Sequence, residues 1–249
     1  MTPAARGTRR NRTGVGVRLH LRAPGRPDRH SGTTGGGGYL LNGTKIFISN
    51  GSIANLVTVF ARVEGEGLWR DRMVCLAVTP EMEGFSVGQV FHKMGQRACP
   101  AAELVFDDVF VPDDHRIGAE GAGWDLNRAV MSVTRAPVGA IAVGIARAAY
   151  ERALEYAEAR VQGGRPIVGH QATQITLADM AIRVEAARHL VHEAMRAVGS
   201  GQPDLKLSSI AKTFASDAAV VNSLEAIQIL GVTATCTRTG SRSSSATRS

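Results

Sequence analysis

Apolar positions change their period once along this chain. Between Tyr39 and Val111 they alternate or run in short bursts, as in "YLLNGTKIFIS", "NLVTVFAR", "MVCLAVT" and "AELVFDDVFVP". That is the pattern of strands. Asn42-Gly43, set between two such runs, predicts a tight hairpin turn, because both residues tolerate positive φ. After Pro112 the period lengthens. "GAGWDLNRAVMSVTRAP" opens a helix that Pro137 is expected to kink or restart. Residues 138–161 read as an Ala-rich helix whose Gly139 and Gly144 leave room for close approach. In residues 170–198, Leu177, Val184, Val191 and Val198 recur every seven positions. Ile175, Ile182 and Leu190 form a second stripe, which predicts a helix buried on two sides. In residues 204–230, Leu207, Ile210, Phe214, Val221 and Leu224 mark one expected core face. The predicted fold class is α+β: an antiparallel β-sandwich or barrel followed by an up-down helical bundle.

The ends lack either period. Residues 1–35 and 232–249 are rich in Arg, Gly, Pro, Ser and Thr, and are expected to be disordered. The expected organisation is a tail over 1–35, a β-domain over 36–114, a helical bundle over 115–231 and a tail over 232–249. Charge supports this division. The formal charge of +7 hides +7 in the first tail and +3 in the second, so the interior is −3. A basic nucleic-acid-binding face is therefore not expected. Cys75, Cys99 and Cys236 have no metal-ligand or disulfide spacing, which points to a reduced, cytoplasmic protein. No apolar stretch reaches the roughly 18 residues of a membrane span, so no membrane partner is expected.

Several constellations carry candidate chemistry. His189 and His192 stand three apart on a helix without a third ligand, and no metal is expected. Asp107-Asp108 and Asp113-Asp114 flank a strand end and a turn. "GAEGAG" (118–123) has no βαβ unit around it, as a dinucleotide loop requires. Arg160 differs. In "EARVQGGRPIVGHQ" it ends one helix, two glycines follow, and His170-Gln171 start the next. There an Arg either clamps a pyrophosphate bidentately or satisfies the carbonyls of its own helix end.

Six segments in order resemble the acyl-CoA dehydrogenase family. They are "YLLNGTKIFISNG", "KMGQRACPAAELVFDDVFVP", "IGAEGAGW", "TRAPVGAIAVGIARAAYERALEYAEAR", "GRPIVGHQ" and "EAIQILG", and they cover about residues 39–231. The resemblance implies FAD held between the β-domain and the bundle, partly by a neighbouring subunit of a homo-oligomer. It places Phe47, Ile48 and Ser49 along the flavin ring. Arg160 would hold the FAD pyrophosphate, with Gln162, His170 and Gln171 nearby, and Gln228 and Gly231 would approach FAD from the last motif. Ser132 and Arg135 fall in the segment that meets the acyl-CoA, Ser132 standing where many members have Asp. The implied reaction is α,β-dehydrogenation of an acyl-CoA thioester, as in fatty acid metabolism, with electrons passed on to an electron-transfer flavoprotein.

The chain also departs from the family pattern. Val232 stands where a second Gly of the Q-x-x-G-G motif belongs, and the Glu-bearing segment beyond it does not follow. The alternative position for that Glu, on the first long helix, holds Thr134. No catalytic residue is therefore assigned. Gly163 replaces an aromatic common in the helix hairpin. The family's N-terminal helical domain and its S-D loop are expected to be missing, and both tails to be frame-shifted translation. The expected consequences are an oligomer or aggregate covering exposed apolar faces, and, as the competing reading, a non-catalytic relic or structural subunit of the same fold.

Overall fold

The computed structural model describes residues 20–22 and 37–235. The remaining parts of the two expected tails, with Cys236, lie outside the described residues. Two compact units divide the chain at Asn127/Arg128. The expected division lay earlier, after residue 114. The first helical turn accounts for the shift, because it belongs with the sheet. Trp124 meets Trp69 edge to face at 4.9 Å. A Cβ on Gly123 would sit 2.6 Å from the Met73 backbone.

The first unit is a seven-stranded sheet. In chain order its strands are β1 (His20–Arg22), β2 (Gly38–Ser49), β3 (Val57–Val63), β4 (Met73–Val78), β5 (Phe85–Phe91), β6 (Ala101–Pro112) and β7 (Arg116–Ile117). In space they run β5-β6-β2-β1-β3-β4-β7. All pairs are antiparallel except β1 with β3. β1 corrects the expectation of no structure over 1–35: it pairs with β2 on one side and β3 on the other. Tyr39 and Leu41 of β2, Val59 and Ala61 of β3, Val74, Leu76 and Val78 of β4, and Leu104, Phe106, Val109 and Val111 of β6 share one buried core. Strands far apart in the sheet order thus fill a common interior, so the sheet curls around it.

The hairpin expected at Asn42-Gly43 does not form. β2 runs straight through it and pairs with β6 along its whole length. Leu41 faces Val109 and Gly43 faces Phe106, so Asp107 and Asp108 together oppose Asn42. This is a β-bulge. Asp108 takes φ 51°. The Asn42 Nδ2 donates to Asp108 Oδ1 at 2.7 Å, and the Asp108 amide donates to Asn42 Oδ1 at 2.9 Å. The extra residue also switches which positions of β6 point inward: Leu104 and Phe106 before it, Val109 and Val111 after it. A second bulge follows at Lys45/Ile48, and within it Phe47 takes φ 60°.

Between the bulges, burial pushes the Lys45 ammonium below its usual range. The unfolded chain therefore binds this proton more tightly than the fold does. Lys45 costs stability at neutral pH, and the cost fades as pH rises through the folded value towards the unfolded one near about 10.4. Lys45→Met is expected to be more stable than the wild type in urea unfolding at pH 7, with the difference shrinking by about pH 10. An equal difference at both values would show that the ammonium is not the cause.

The second unit holds three long helices: α1 (Gly123–Ala159, its first turn on the sheet), α2 (Gln171–Gly199) and α3 (Leu205–Leu230). A short ribbon of β8 (Val161–Gln162) and β9 (Arg165–Pro166) joins α1 to α2. Pro137 lies inside α1, which runs on without a restart. A 3₁₀ turn, Gly231–Thr235, follows α3, where structure was expected to stop. Leu177, Val184 and Val191 are buried as expected, but Ile182 is 64% exposed and Ile175 57%. In α3, Leu207 packs partly buried on the bundle core as expected, but the rest of the expected face is turned outward, with Leu224 62% exposed. The buried face is instead Ser208, Ala211, Ala215, Ala218, Ala219, Asn222 and Ala226. Small side chains let the helix axes approach closely, and the bulky ones then have no room between them. Gly139 marks one such approach, since a Cβ there would lie 2.9 Å from Val191 Cγ2. Gly144 has open space. By length and composition alone, α1 and Leu205–Thr235 are apolar enough to cross a membrane, with mean hydropathy 1.6 and 1.3. That corrects the expectation that no stretch reaches this measure. Both helices also line the bundle core.

Asn222 ties the three helices together. Its Nδ2 donates to Met180 O on α2 at 3.0 Å and to Ala146 O on α1 at 3.4 Å. Its Oδ1 accepts from Arg183 Nη1, which also pairs with Glu225 at 2.7 Å.

Candidate functional site

In the sheet unit, the Phe47–Ser49 segment ends β2. Phe47 is 65% exposed in a left-handed conformation that an aromatic residue rarely adopts. Strain of this kind is held where the surrounding structure over-determines it. Its ring contacts Phe91, the last residue of β5, with centroids 4.6 Å apart. Ile48 packs, partly buried, against the sheet core. Ser49 is exposed, and its hydroxyl has no bonded partner among the described residues. The segment thus offers an aromatic face and a free hydroxyl two residues apart. Phe91 escaped the sequence reading because it is non-local: it pairs with Ala101, which in turn pairs with Ser49.

In the helical unit, Arg160 follows α1. Its backbone closes the ribbon, the amide donating to Tyr156 O at 2.9 Å and the carbonyl accepting from Ile167 N at 2.8 Å. Its guanidinium is exposed, with no ion pair or helix carbonyl to bind among the described residues. Capping of its own helix end is therefore not its role. His170 Nε2 lies 3.0 Å from Gln162 O, and Arg165 Nη2 lies 3.3 Å from His170 Nδ1. Arg165 has no acceptor, so Nδ1 accepts and Nε2–H donates. His170 thereby fixes the ribbon that carries Arg160 and Gln162. Arg165 carries no sequence signal of its own, because its part depends on where the ring of His170 lies in the fold. Gly163 at φ 61° and Gly164 at φ 78° make the turn that only glycine adopts readily. Gln162 and Gln171 are exposed beside it.

Further along this unit, Arg135 lines a groove of about 460 Å³ with Met131, Thr134, Val138, Ser209, Lys212 and Thr213. Arg135 Nη1 donates to Ser209 Oγ at 2.8 Å. Ser132 is placed differently: it is buried, its hydroxyl donates to Arg128 O at 2.8 Å, and its carbonyl accepts from Ser208 Oγ. It fastens α1 to α3 and does not line the groove. Thr134 Oγ1 donates to Val130 O in its own helix. Gln228 is exposed on the last turn of α3, and Gly231 closes that helix at φ 59°. His189 Nδ1 lies 2.8 Å from Glu185 O, and no group of three metal-ligating side chains occurs among the described residues.

Each unit offers its own feature: in the sheet unit an exposed aromatic ring with a hydroxyl that has no partner among the described residues suits a planar aromatic group, and in the helical unit a guanidinium with no partner among the described residues, on a fixed ribbon, suits a pyrophosphate.

Comparison with known proteins gives the following likenesses. Residues 29–109 match the family profile described as "Acyl-CoA dehydrogenase, middle domain". Residues 121–248 match "Acyl-CoA dehydrogenase, C-terminal domain". Both matches reach beyond the 39–231 span of the motifs. An acyl-CoA dehydrogenase of Bacillus subtilis (strain 168) is 42% identical over 222 residues, which is 85% of this chain and 58% of the relative. Butyryl-CoA dehydrogenase from Megasphaera elsdenii superposes with TM-score 0.77 at 36% identity, over 87% of this chain and 54% of that one. A structure described as "PigA with FAD and proline" gives TM-score 0.74 at 32% identity, over 85% and 57%. The chain spans about half the length of the relatives it matches.

Proposed function

This chain belongs to the acyl-CoA dehydrogenase family, and from that premise we propose that it is part of a flavin-dependent dehydrogenase that introduces an α,β double bond into an acyl-CoA thioester. The observation that carries the reading is an unusual surface feature in each unit, taken by itself. One is the strained, exposed Phe47 beside the free Ser49 hydroxyl. The other is the unpaired Arg160 on its His170-braced ribbon.

FAD, when bound, supplies the hydride acceptor. Phe47 presents a ring face for the isoalloxazine, and the Ser49 hydroxyl is a hydrogen-bonding group for its edge. Arg160 neutralises the pyrophosphate, while Gln162, Gln171, Gln228 and the Gly231 backbone are further polar contacts. Arg135 and Lys212 make the helical groove cationic over an apolar wall of Met131 and Val138, which suits an acyl chain carrying an anionic head. Thr134 has a hydroxyl committed to its own helix and cannot serve as the carboxylate that removes the α-proton. No base is assigned to the described residues. Outward-facing Phe214, Val221 and Leu224 on α3 support a homo-oligomer in which these faces are covered. An electron-transfer flavoprotein is the proposed acceptor.

The purified chain mixed with FAD and desalted is expected to retain a yellow flavin spectrum. Bleaching on addition of butyryl-CoA is the signature of turnover. Retained flavin without bleaching favours a folded, non-catalytic copy, for which the unassigned base is the supporting observation. A colourless, folded protein sinks the flavin reading.

A further inference from the structure

We propose that Phe91 is a positioning residue for the flavin: its ring seats Phe47 and so fixes the face that Phe47 offers to the isoalloxazine. The proposal rests on the flavin reading above and adds a residue that lies outside the Phe47–Ser49 segment.

β5 is the edge strand of the sheet, and its residues between Phe85 and Phe91 are exposed. Phe85 packs on the sheet core and meets Phe106 edge to face at 5.4 Å, which anchors the start of the strand. Phe91, at the other end, has no such core role. It turns instead to Phe47, at 4.6 Å and an interplanar angle of 42°. Two strand spacings separate β5 from β2, with β6 between them, a span of roughly 9.6 Å. The β6 residues crossed are Ala101 and Ala102, both buried. Ala101, the partner of both Phe91 and Ser49, shares their face, and its short side chain leaves the space over which the two rings meet. The register shifts at Lys45/Ile48 and at Val87/Val90 bring a bulge on each outer strand next to this pair. A ring in a strained backbone conformation, two-thirds exposed, would otherwise sample several rotamers. Contact with Phe91 removes that freedom before a ligand arrives, which raises affinity by preorganisation.

The test is FAD titration of the full 249-residue chain, read by quenching of flavin fluorescence, with circular dichroism as a check on folding. Phe91→Ala is expected to weaken FAD binding about three- to tenfold, the worth of one aromatic pair. Phe91→Tyr is expected to stay within about twofold of wild type, because the ring is kept. Should alanine loosen the edge strand, Phe91→Leu keeps the apolar bulk without the ring and is read the same way. A role that acts through Phe47 requires non-additivity: Phe47→Ala/Phe91→Ala binds no more weakly than Phe47→Ala alone. Additive losses overturn the positioning role. So does wild-type affinity in Phe91→Ala when Phe47→Ala is weakened, an outcome that leaves the flavin reading standing. A wild-type chain that takes up no FAD overturns both.

Discussion

Gly84→Ala is expected to destabilise the sheet unit by about 3 kcal/mol or more. Gly84 sits at φ 85° in the turn entering β5, and a Cβ would lie 2.0 Å from the carbonyl oxygen of Asp107. The obstacle is backbone and cannot rotate away. The same turn carries two hydrogen bonds, Phe85 N to Met82 O at 3.1 Å and Asp107 N to Gly84 O at 3.0 Å. Relief of the clash therefore breaks the start of the β5–β6 pairing and the Phe85–Phe106 contact. Gly67→Ala separates the two contributions. Gly67 has φ 96° with nothing within 4 Å, so only the conformational cost of about 1 kcal/mol applies. Urea unfolding of the three proteins, followed by the β-sheet signal, measures both. A Gly84→Ala protein within about 1 kcal/mol of Gly67→Ala would show that the clash carries no weight.

Arg160→Ala is expected to weaken FAD binding by about 10- to 100-fold, the worth of a charge-assisted, bidentate contact. Arg160→Lys recovers only part of this, since an ammonium keeps the charge but not the fork. Riboflavin has the ring system without the pyrophosphate, so its affinity should not change. ADP should compete with FAD on the wild type and much less on Arg160→Ala. If riboflavin affinity fell as far as FAD affinity, the loss would reflect the ribbon's shape and not a pyrophosphate contact. Arg165→Ala probes the ribbon directly, since it removes the partner of His170 Nδ1.

The fold class was legible because a change from period two to period 3.6 depends only on neighbouring residues. The errors fall where a distant residue decides. Asn42-Gly43 carries the signal of a hairpin turn, yet its meaning is set by Asp108, 66 positions away. Asn42 spends its side chain on a bulge, and β2 continues. In α3 the expected face holds at Leu207 and is reversed from Ile210 onward. Hydrophobicity ranks Phe214 and Leu224 above Ala215 and Ala226, but close approach of three helices selects for size. The site divides in the same way. Arg160 was visible from its place between a helix end and two glycines. Whether it capped the helix or stood free depended on geometry, and only the fold resolved it. Ser132 falls in the segment that the resemblance assigns to the acyl-CoA, and in the fold its hydroxyl and carbonyl are taken up by bonds within the bundle. Phe91 carried no signal at all, because its contact is made across a third strand.

Asn222 has a consequence for how uniquely the bundle packs. Faces lined by alanine have little relief, so sliding one helix past another by a turn exchanges one small side chain for the next. Such interfaces are nearly degenerate in apolar contact. The amide of Asn222, fully buried, breaks that degeneracy. In a slipped alignment it would lose Met180 O and Ala146 O and stand unpaired in the interior, at a cost of about 1–3 kcal/mol. Asn222, together with the buried Ser208–Ser132 bond between α1 and α3, thus acts as an index pin, and the alanines supply cohesion without choosing the alignment.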